Sequence, residues 1–229
     1  MSWEPVRDAY STMSEQYIAL FDGDWQAHED DTALIRGHLT GLHGPVLDLG
    51  CGPGHWTAYL HGLGADVTGV DLVPEFLDHA RANFPGPRFR LGAMTELDVP
   101  DHSVSGILSW YSTIHLPPAD LDRTLTGFRR MLAPAGRLVI GFFDSDDGVA
   151  AFDHKVVTAY RWPVTEFSAR LAQAGFTELE RRQQQFPERP DRRYAAIAAR
   201  ASEADPPALS GTPRSPSSPW SAGAGRTAR

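Results

Sequence analysis

Three glycines, Gly50, Gly52 and Gly54, stand at alternate positions in VLDLGCGPGHWT, between an apolar run and a helical pattern. Glycine admits positive φ and lets a ligand come close to the backbone. A turn from a strand into a helix also offers unpaired helix N–H groups at the carboxyl end of a sheet, where ligands bind. Two acids accompany the turn. Asp48 lies just before Gly50 and suits the ammonium group of an aminocarboxylate ligand. Asp71 ends VTGVD, at the roughly 20-residue spacing from which a carboxylate accepts both hydroxyls of a ribose. A dinucleotide fingerprint, G-x-G-x-x-G, would need its third glycine where His55 stands.

Strands and helices must hold these residues in place. DDTALIRGHLTGL sets Leu34, Ile35, Leu39 and Leu42 at helical spacing, with Asp30 or Asp31 as the expected cap. PVLDLG reads as a buried strand. HWTAYLHGLG reads as a helix with Trp56, Tyr59, Leu60 and Leu63 on one face, stopped at Gly64. DVTGVD, RFRLGAM and VSGILSWYS are the next strands, and PEFLDHARANF is a helix begun by Pro74. LDRTLTGFRRMLAPAG is the clearest amphipathic helix, with Leu121, Leu125, Phe128 and Leu132 on one stripe and Pro134 and Gly136 at its end. RLVIGFF is a fifth strand, TEFSARLAQAGF a helix stopped by Gly175, and TELERRQQQF with RRYAAIAAR a terminal antiparallel pair. Strands alternating with helices predict an α/β fold, a mostly parallel sheet covered on both faces with right-handed crossovers.

The 229 residues suffice for one full core, and a composition of 41% hydrophobic and 22% charged residues reads as globular. No apolar run is long enough to span a bilayer, and the first residues lack a secretory pattern. Cys51 is the single cysteine, which suits a reducing cytoplasm. The net charge of −8 suits phosphate-backbone binding poorly. The nine histidines are scattered without ligand spacing, so no metal site is expected. Residues 201–229, rich in Pro, Ser, Gly and Ala, read as a disordered tail following a domain over 1–200, of which 1–42 form an N-terminal helical cap.

VLDLGCGPG, with Asp71 ending the next strand, resembles motif I of class I S-adenosylmethionine-dependent methyltransferases of the small-molecule, methyltransferase-11/25-like type. The stretch LGAMTELDVPDHSVSGILSWYSTIHLPP and the L-x-P-x-G turn of LTGFRRMLAPAGRLVIGFF extend the resemblance over about residues 5–200. It implies a Rossmann-like seven-stranded sheet in the order 3-2-1-4-5-7-6, strand seven antiparallel. It also implies S-adenosylmethionine as cofactor and S-adenosylhomocysteine as product. By position, Gly50, Cys51, Gly52 and Gly54 would pass the methionine part, Asp48 would orient the amino group and Asp71 would hold the ribose. Leu72, Ala93 and Met94 would meet adenine, and Ser109 and Trp110 would lie near the methyl group. Tyr10 or Tyr17, in YSTMSEQY, would bond the carboxylate.

Methyl transfer from a sulfonium is an in-line displacement in which the protein aligns and desolvates. A base is needed only where the acceptor must lose a proton. His115 has an ordinary pKa of about 6.5, suited to that task, and Tyr111 is the second candidate. Asp144, at the end of the fifth strand, together with Trp162, Trp25 and His28, are the candidate acceptor contacts. The expectation is a cytoplasmic methyltransferase, monomer or homodimer, acting on an O or N nucleophile of a metabolite, with no nucleic-acid or membrane partner. A nicotinamide-dependent Rossmann oxidoreductase and a non-catalytic S-adenosylmethionine-binding module are the alternatives.

Overall fold

A computed structural model describes residues 3–21, 27–187, 189 and 192–203. Trp25 and residues 204–229, most of the expected tail, lie outside the described residues. The strands are β1 (Val46–Leu49), β2 (Val67–Asp71), β3 (Arg88–Leu91), β4 (Val104–Trp110), β5 (Leu132–Asp144), β6 (Ala150–Phe152), β7 (Ala159–Trp162), β8 (Phe176–Gln184) and β9 (Arg193–Ala201). The helices are α1 (Glu4–Thr12), α2 (Ser14–Ile18), α3 (Glu29–Leu39), α4 (His55–Gly62), α5 (Pro74–Asn83), α6 (Pro118–Met131) and α7 (Val164–Gln173).

Strands β3, β2, β1, β4 and β5 lie side by side and parallel. β9 joins the far edge of β5 antiparallel, and β8 pairs antiparallel outside it. With β8 and β9 counted as the sixth and seventh strands, the order is the expected 3-2-1-4-5-7-6. The pleat of β5 divides its side chains between the two faces. Leu138, Ile140 and Phe142 pack with Leu121, Leu125 and Phe128 of α6 and Phe167 and Leu171 of α7. Val139 packs on the opposite face with Leu34, Ile35 and Leu39 of α3 and Leu60 of α4.

Three local expectations need correction. The cap of α3 is His28, whose Nδ1 accepts the Asp30 N–H at 3.3 Å, so Asp30 and Asp31 fall in the first turn. α6 ends at Met131, and Leu132 is already extended at φ −74°, ψ 131°; Pro134 disfavours helical backbone at Ala133 and has no N–H to continue the helix, so the helix stops short of it. Leu63 is exposed, off the buried face of α4.

The sheet also carries a hairpin that the pattern does not announce. β6 and β7 pair antiparallel, and β7 adds to β5 in parallel through Phe143↔Arg161 and Asp144↔Trp162. β9 holds the other edge of those two residues. β7 therefore takes up the side of β5 that β4 leaves at Trp110↔Gly141, extending the sheet at the carboxyl end. The Tyr160 N–H donates to Ile114 O at 2.7 Å and fixes the hairpin to the loop after β4.

That pairing sends Trp162 into the core. Its ring is 1% exposed, lies edge-on to Phe167 at 5.9 Å and carries the Arg170 guanidinium 4.6 Å from a ring centroid. Trp162→Ala should cost about 3–5 kcal/mol, read as a lowered urea midpoint at unchanged slope. A loss under 1 kcal/mol would show that this tryptophan is not a packing residue.

Candidate active site

The turn after β1 is built by backbone geometry that only glycine takes without strain. Gly50, Gly52 and Gly54 have φ of 75°, 53° and 94°. A Cβ on Gly50 would fall 2.3 Å from Ser112 Cβ, and one on Gly54 would fall 2.8 Å from Ala80 Cβ. At Gly52 the surroundings differ: a Cβ there would meet only Tyr17 Cε1, at 3.9 Å, and would fill a cavity otherwise left open. The Gly50 and Cys51 N–H groups both donate to Val70 O, at 2.7 and 3.1 Å.

Both acids of the turn are buried. Asp71 Oδ2 accepts the Gly52 N–H at 2.8 Å and Oδ1 accepts the Val73 N–H at 2.9 Å. Asp48 Oδ2 accepts the Thr57 hydroxyl at 2.6 Å. Burial pushes the Asp48 carboxyl up to about 7 and that of Asp71 up to about 6, against the hydrogen bonds that pull each down. Burial also raises the Cys51 thiol.

Two adjoining cavities open from this turn. The smaller is lined by Gly50, Gly52, Asp71, Leu72, Met94 and His115. The larger, of about 460 Å³, reaches from Asp48 and Cys51 to Tyr111, Phe143 and Tyr194. Tyr10, Tyr17, Trp110 and Tyr111 line both. His28 lines the larger one, edge-on to Phe186 at 5.3 Å.

His115 is buried in the loop after β4. Its Nδ1 lies 2.9 Å from Thr158 O, a carbonyl that only accepts, so Nδ1 carries the proton. Nε2 is then the acceptor, and the Tyr10 hydroxyl donates to it at 2.9 Å. Burial lowers the pKa of His115, and it raises that of Tyr10 beyond the ordinary phenol range. Burial likewise pushes Tyr17 up to about 12 and Tyr111 well above its usual value. Tyr111 stands at φ 53°, a left-handed conformation for a bulky residue, which turns its ring against Phe143 and Tyr194.

Other expected residues are placed elsewhere. Ala93 is half-buried against the core, outside both cavities. Ser109 is fully buried and bonds Ser112 Oγ at 2.8 Å, and Ser112 in turn donates to Leu49 O at 2.6 Å. Asp144 accepts the N–H groups of Ser145 and Val164 and the Gln183 amide. It pairs with Arg193 at 3.6 Å, so it is a joint between β5, α7 and the terminal hairpin. Trp162 lies in the core. Reasoning from the sequence missed Ser112, Phe76 and Asp31, all on cavity walls, where His154 also lies. His154 stacks edge-on to His115 at 5.4 Å, and burial first lowers its pKa to about 4. The one signal for Ser112 was its place in SWYS, immediately after β4.

Comparison with known proteins agrees with this geometry. Residues 46–136 match the family model of a methyltransferase domain. An uncharacterized methyltransferase of Mycobacterium tuberculosis is 40% identical over 93 residues, 41% of this chain and 37% of that protein. A malonyl-[acyl-carrier protein] O-methyltransferase of Pectobacterium atrosepticum is 36% identical over 117 residues, 51% of this chain and 43% of that one. The chain thus spans less than half the length of these curated relatives. Among solved structures, the Burkholderia thailandensis 1,6-didemethyltoxoflavin-N1-methyltransferase, with 1,6-didemethyltoxoflavin and S-adenosylhomocysteine bound, is 26% identical. It covers 87% of this chain and 88% of its own, with a TM-score of 0.73.

The raised Asp48 carboxyl gives a stability signature. The folded chain holds a proton there that the unfolded chain loses near pH 4, so the contribution to stability is present below that pH and is lost as pH rises through about 7. His154 titrates in the opposite sense, so the difference between two proteins is the quantity to measure. Relative to the native chain, Asp48→Asn should gain stability steadily from pH 4 to pH 8 in urea unfolding. A pH-independent difference would show that Asp48 is not held in this way.

Proposed function

We propose that the chain is a class I S-adenosylmethionine-dependent methyltransferase, with S-adenosylmethionine as its cofactor, that methylates an O or N nucleophile of a small molecule. The observation that carries this reading is the glycine turn with Asp48 and Asp71 buried beside it, each on one of the two adjoining cavities. The residues present fit the cofactor, because Gly52 leaves open the space that any side chain would fill. We assign the ribose to Asp71, whose two oxygens each keep a lone pair beyond the backbone bonds. Asp48 would orient the amino group, Tyr17 would take the carboxylate, and Leu72 and Met94 would pack on adenine. Ser109 acts only through Ser112, which shapes the wall of the turn.

When bound, the cofactor supplies an electrophilic methyl group on a cationic sulfur. The protein's part is alignment, which contributes about 7–11 kcal/mol of barrier in well-oriented systems. For an acceptor that must lose a proton, His115 is the base and Tyr10 the link. The acceptor's proton then passes to the Tyr10 oxygen while the Tyr10 proton moves to Nε2. Tyr111, at the mouth of the larger cavity, positions the acceptor. An N- or O-methyltransferase both occur among the relatives, and the N1-methylating neighbour that matches most of this chain supports a free small molecule. Among the described residues no helix is long and apolar enough to cross a membrane, and the lone buried cysteine suits the reducing cytoplasm.

Calorimetry with S-adenosylmethionine and S-adenosylhomocysteine tests the cofactor, with Asp71→Ala as the control. Micromolar binding lost in the variant is expected, and no binding to the folded chain would end this reading. Tyr10→Phe and His115→Ala should each lower kcat by about 10²–10⁴ with the first acceptor that a labelled-methyl screen returns, leaving S-adenosylhomocysteine affinity within threefold. If Tyr10→Phe instead weakens S-adenosylhomocysteine and spares kcat, the hydroxyl belongs to the cofactor carboxylate.

A further inference from the structure

One carboxylate on the wall of the larger cavity has no part in the reading above. Asp31 stands in the first turn of α3, where acids ordinarily face water and favour the helix dipole. Its neighbours Glu29 and Asp30 do so. Asp31 is half-buried and lines the cavity with Trp110, Tyr111, Phe143 and Tyr194. The helix does not need it as a cap, since His28 fills that role. Burial pushes its carboxyl up to about 6, against the pull of His28 and Gln184 beside it, and its charge also raises the Tyr111 hydroxyl. A half-buried carboxylate on the cavity wall that does not cap its helix is placed to accept a hydrogen bond from a group inside the cavity.

The rest of the wall describes that partner. Trp110, Tyr111, Phe143 and Tyr194 meet one another at centroid distances of 5.4–5.9 Å and form a continuous aromatic surface. Such a surface takes a flat π-system, by offset or edge-on contact. Arg189 lines the same cavity and offsets part of the negative charge of Asp31 and Asp48 there. A flexible polar ligand would lose hydration along the aromatic wall without replacement bonds. We propose that Asp31 selects the acceptor, a flat nitrogen heterocycle that presents a ring N–H to this carboxylate while its faces lie on the Trp110–Tyr194 wall. This rests on the methyltransferase reading and deepens it by naming the substrate class and the side chain that chooses it. Asp31 binds the acceptor at a site remote from the transferred methyl group and takes no part in the proton path through Tyr10 and His115.

The test uses lumazine, a flat bicyclic heterocycle with two ring N–H groups, its 1,3-dimethyl derivative, and choline. Each is titrated calorimetrically into the full chain, with and without saturating S-adenosylhomocysteine, for the native protein and Asp31→Asn. Lumazine should bind the native chain at least tenfold more tightly than dimethyllumazine does. In Asp31→Asn that preference should collapse to less than threefold, with S-adenosylhomocysteine affinity within twofold, which also shows that the variant is folded. Equal binding of the two heterocycles to the native chain would overturn the inference. So would a preference unchanged in Asp31→Asn, or choline binding while lumazine does not bind up to millimolar concentration. Failure of S-adenosylhomocysteine to bind is a separate result, and it counts against the methyltransferase reading.

Discussion

The site depends on one buried carboxylate. Asp71 joins the turn after β1 to the end of β2 by accepting the N–H groups of Gly52 and Val73 on its two oxygens. A carboxylate buried in this way persists only with such partners. The register of the sheet brings them together: Leu49 lies opposite Val70, so β1 and β2 end side by side. Val70 O then collects the N–H groups of Gly50 and Cys51, and the chain must turn sharply with positive φ. The glycines follow from that demand, and the open side of Gly52 follows from the glycines. The turn, the acid and the cavity floor are therefore a single construction.

A second construction roofs it. Tyr10 comes from α1, His115 from the loop after β4, and Thr158 from the loop between β6 and β7. The imidazole joins all three by donating to the Thr158 carbonyl and accepting the Tyr10 hydroxyl. The tautomer is fixed by the carbonyl, since an oxygen with no hydrogen leaves Nδ1 to donate. One side chain thus holds segments far apart in sequence over the glycine turn. The same bond that makes His115 a link leaves the Nε2 lone pair in contact with a phenol in place of open solvent. A proton reaching His115 must pass through Tyr10.

What the sequence shows most clearly is what backbone physics forces into it. The glycine turn with Asp48 and Asp71 beside it and the mostly parallel sheet were legible, because a turn with positive φ and strands alternating with helices leave marks at fixed spacings; the strand order came with the family resemblance. Asp144 and Trp162 carried the same signals as ligand contacts, an acid at a strand end and an aromatic residue beyond the fifth strand, yet both are structural. Their roles arise from the pairing of β7 with β5, which rests on two residue pairs and a stretch, AAF, with little strand character. Asp31 was read as a cap for the same reason in reverse. Local sequence shows an acid opening a helix, and only the packing of β8 and the aromatic wall around it reveals that His28 caps the helix and Asp31 turns inward.

The electrostatics of the walls bear on the proposed chemistry. Asp31, Asp48, Asp71, Tyr10, Tyr17 and Tyr111 are all shifted upward, and His115 and His154 downward, with burial the first cause each time. Every shift opposes the charged form. A reaction that separated new charges would be penalised there. The proposed transfer separates none: positive charge on sulfur is spent as the methyl group leaves, and one proton ends on His115. The three carboxylates, costly to ionise alone, are best placed to be ionised when a cation or N–H donor lies beside them. The cavity is thus tuned for the complex, and the free protein bears the strain of holding acids that its own fold only partly satisfies.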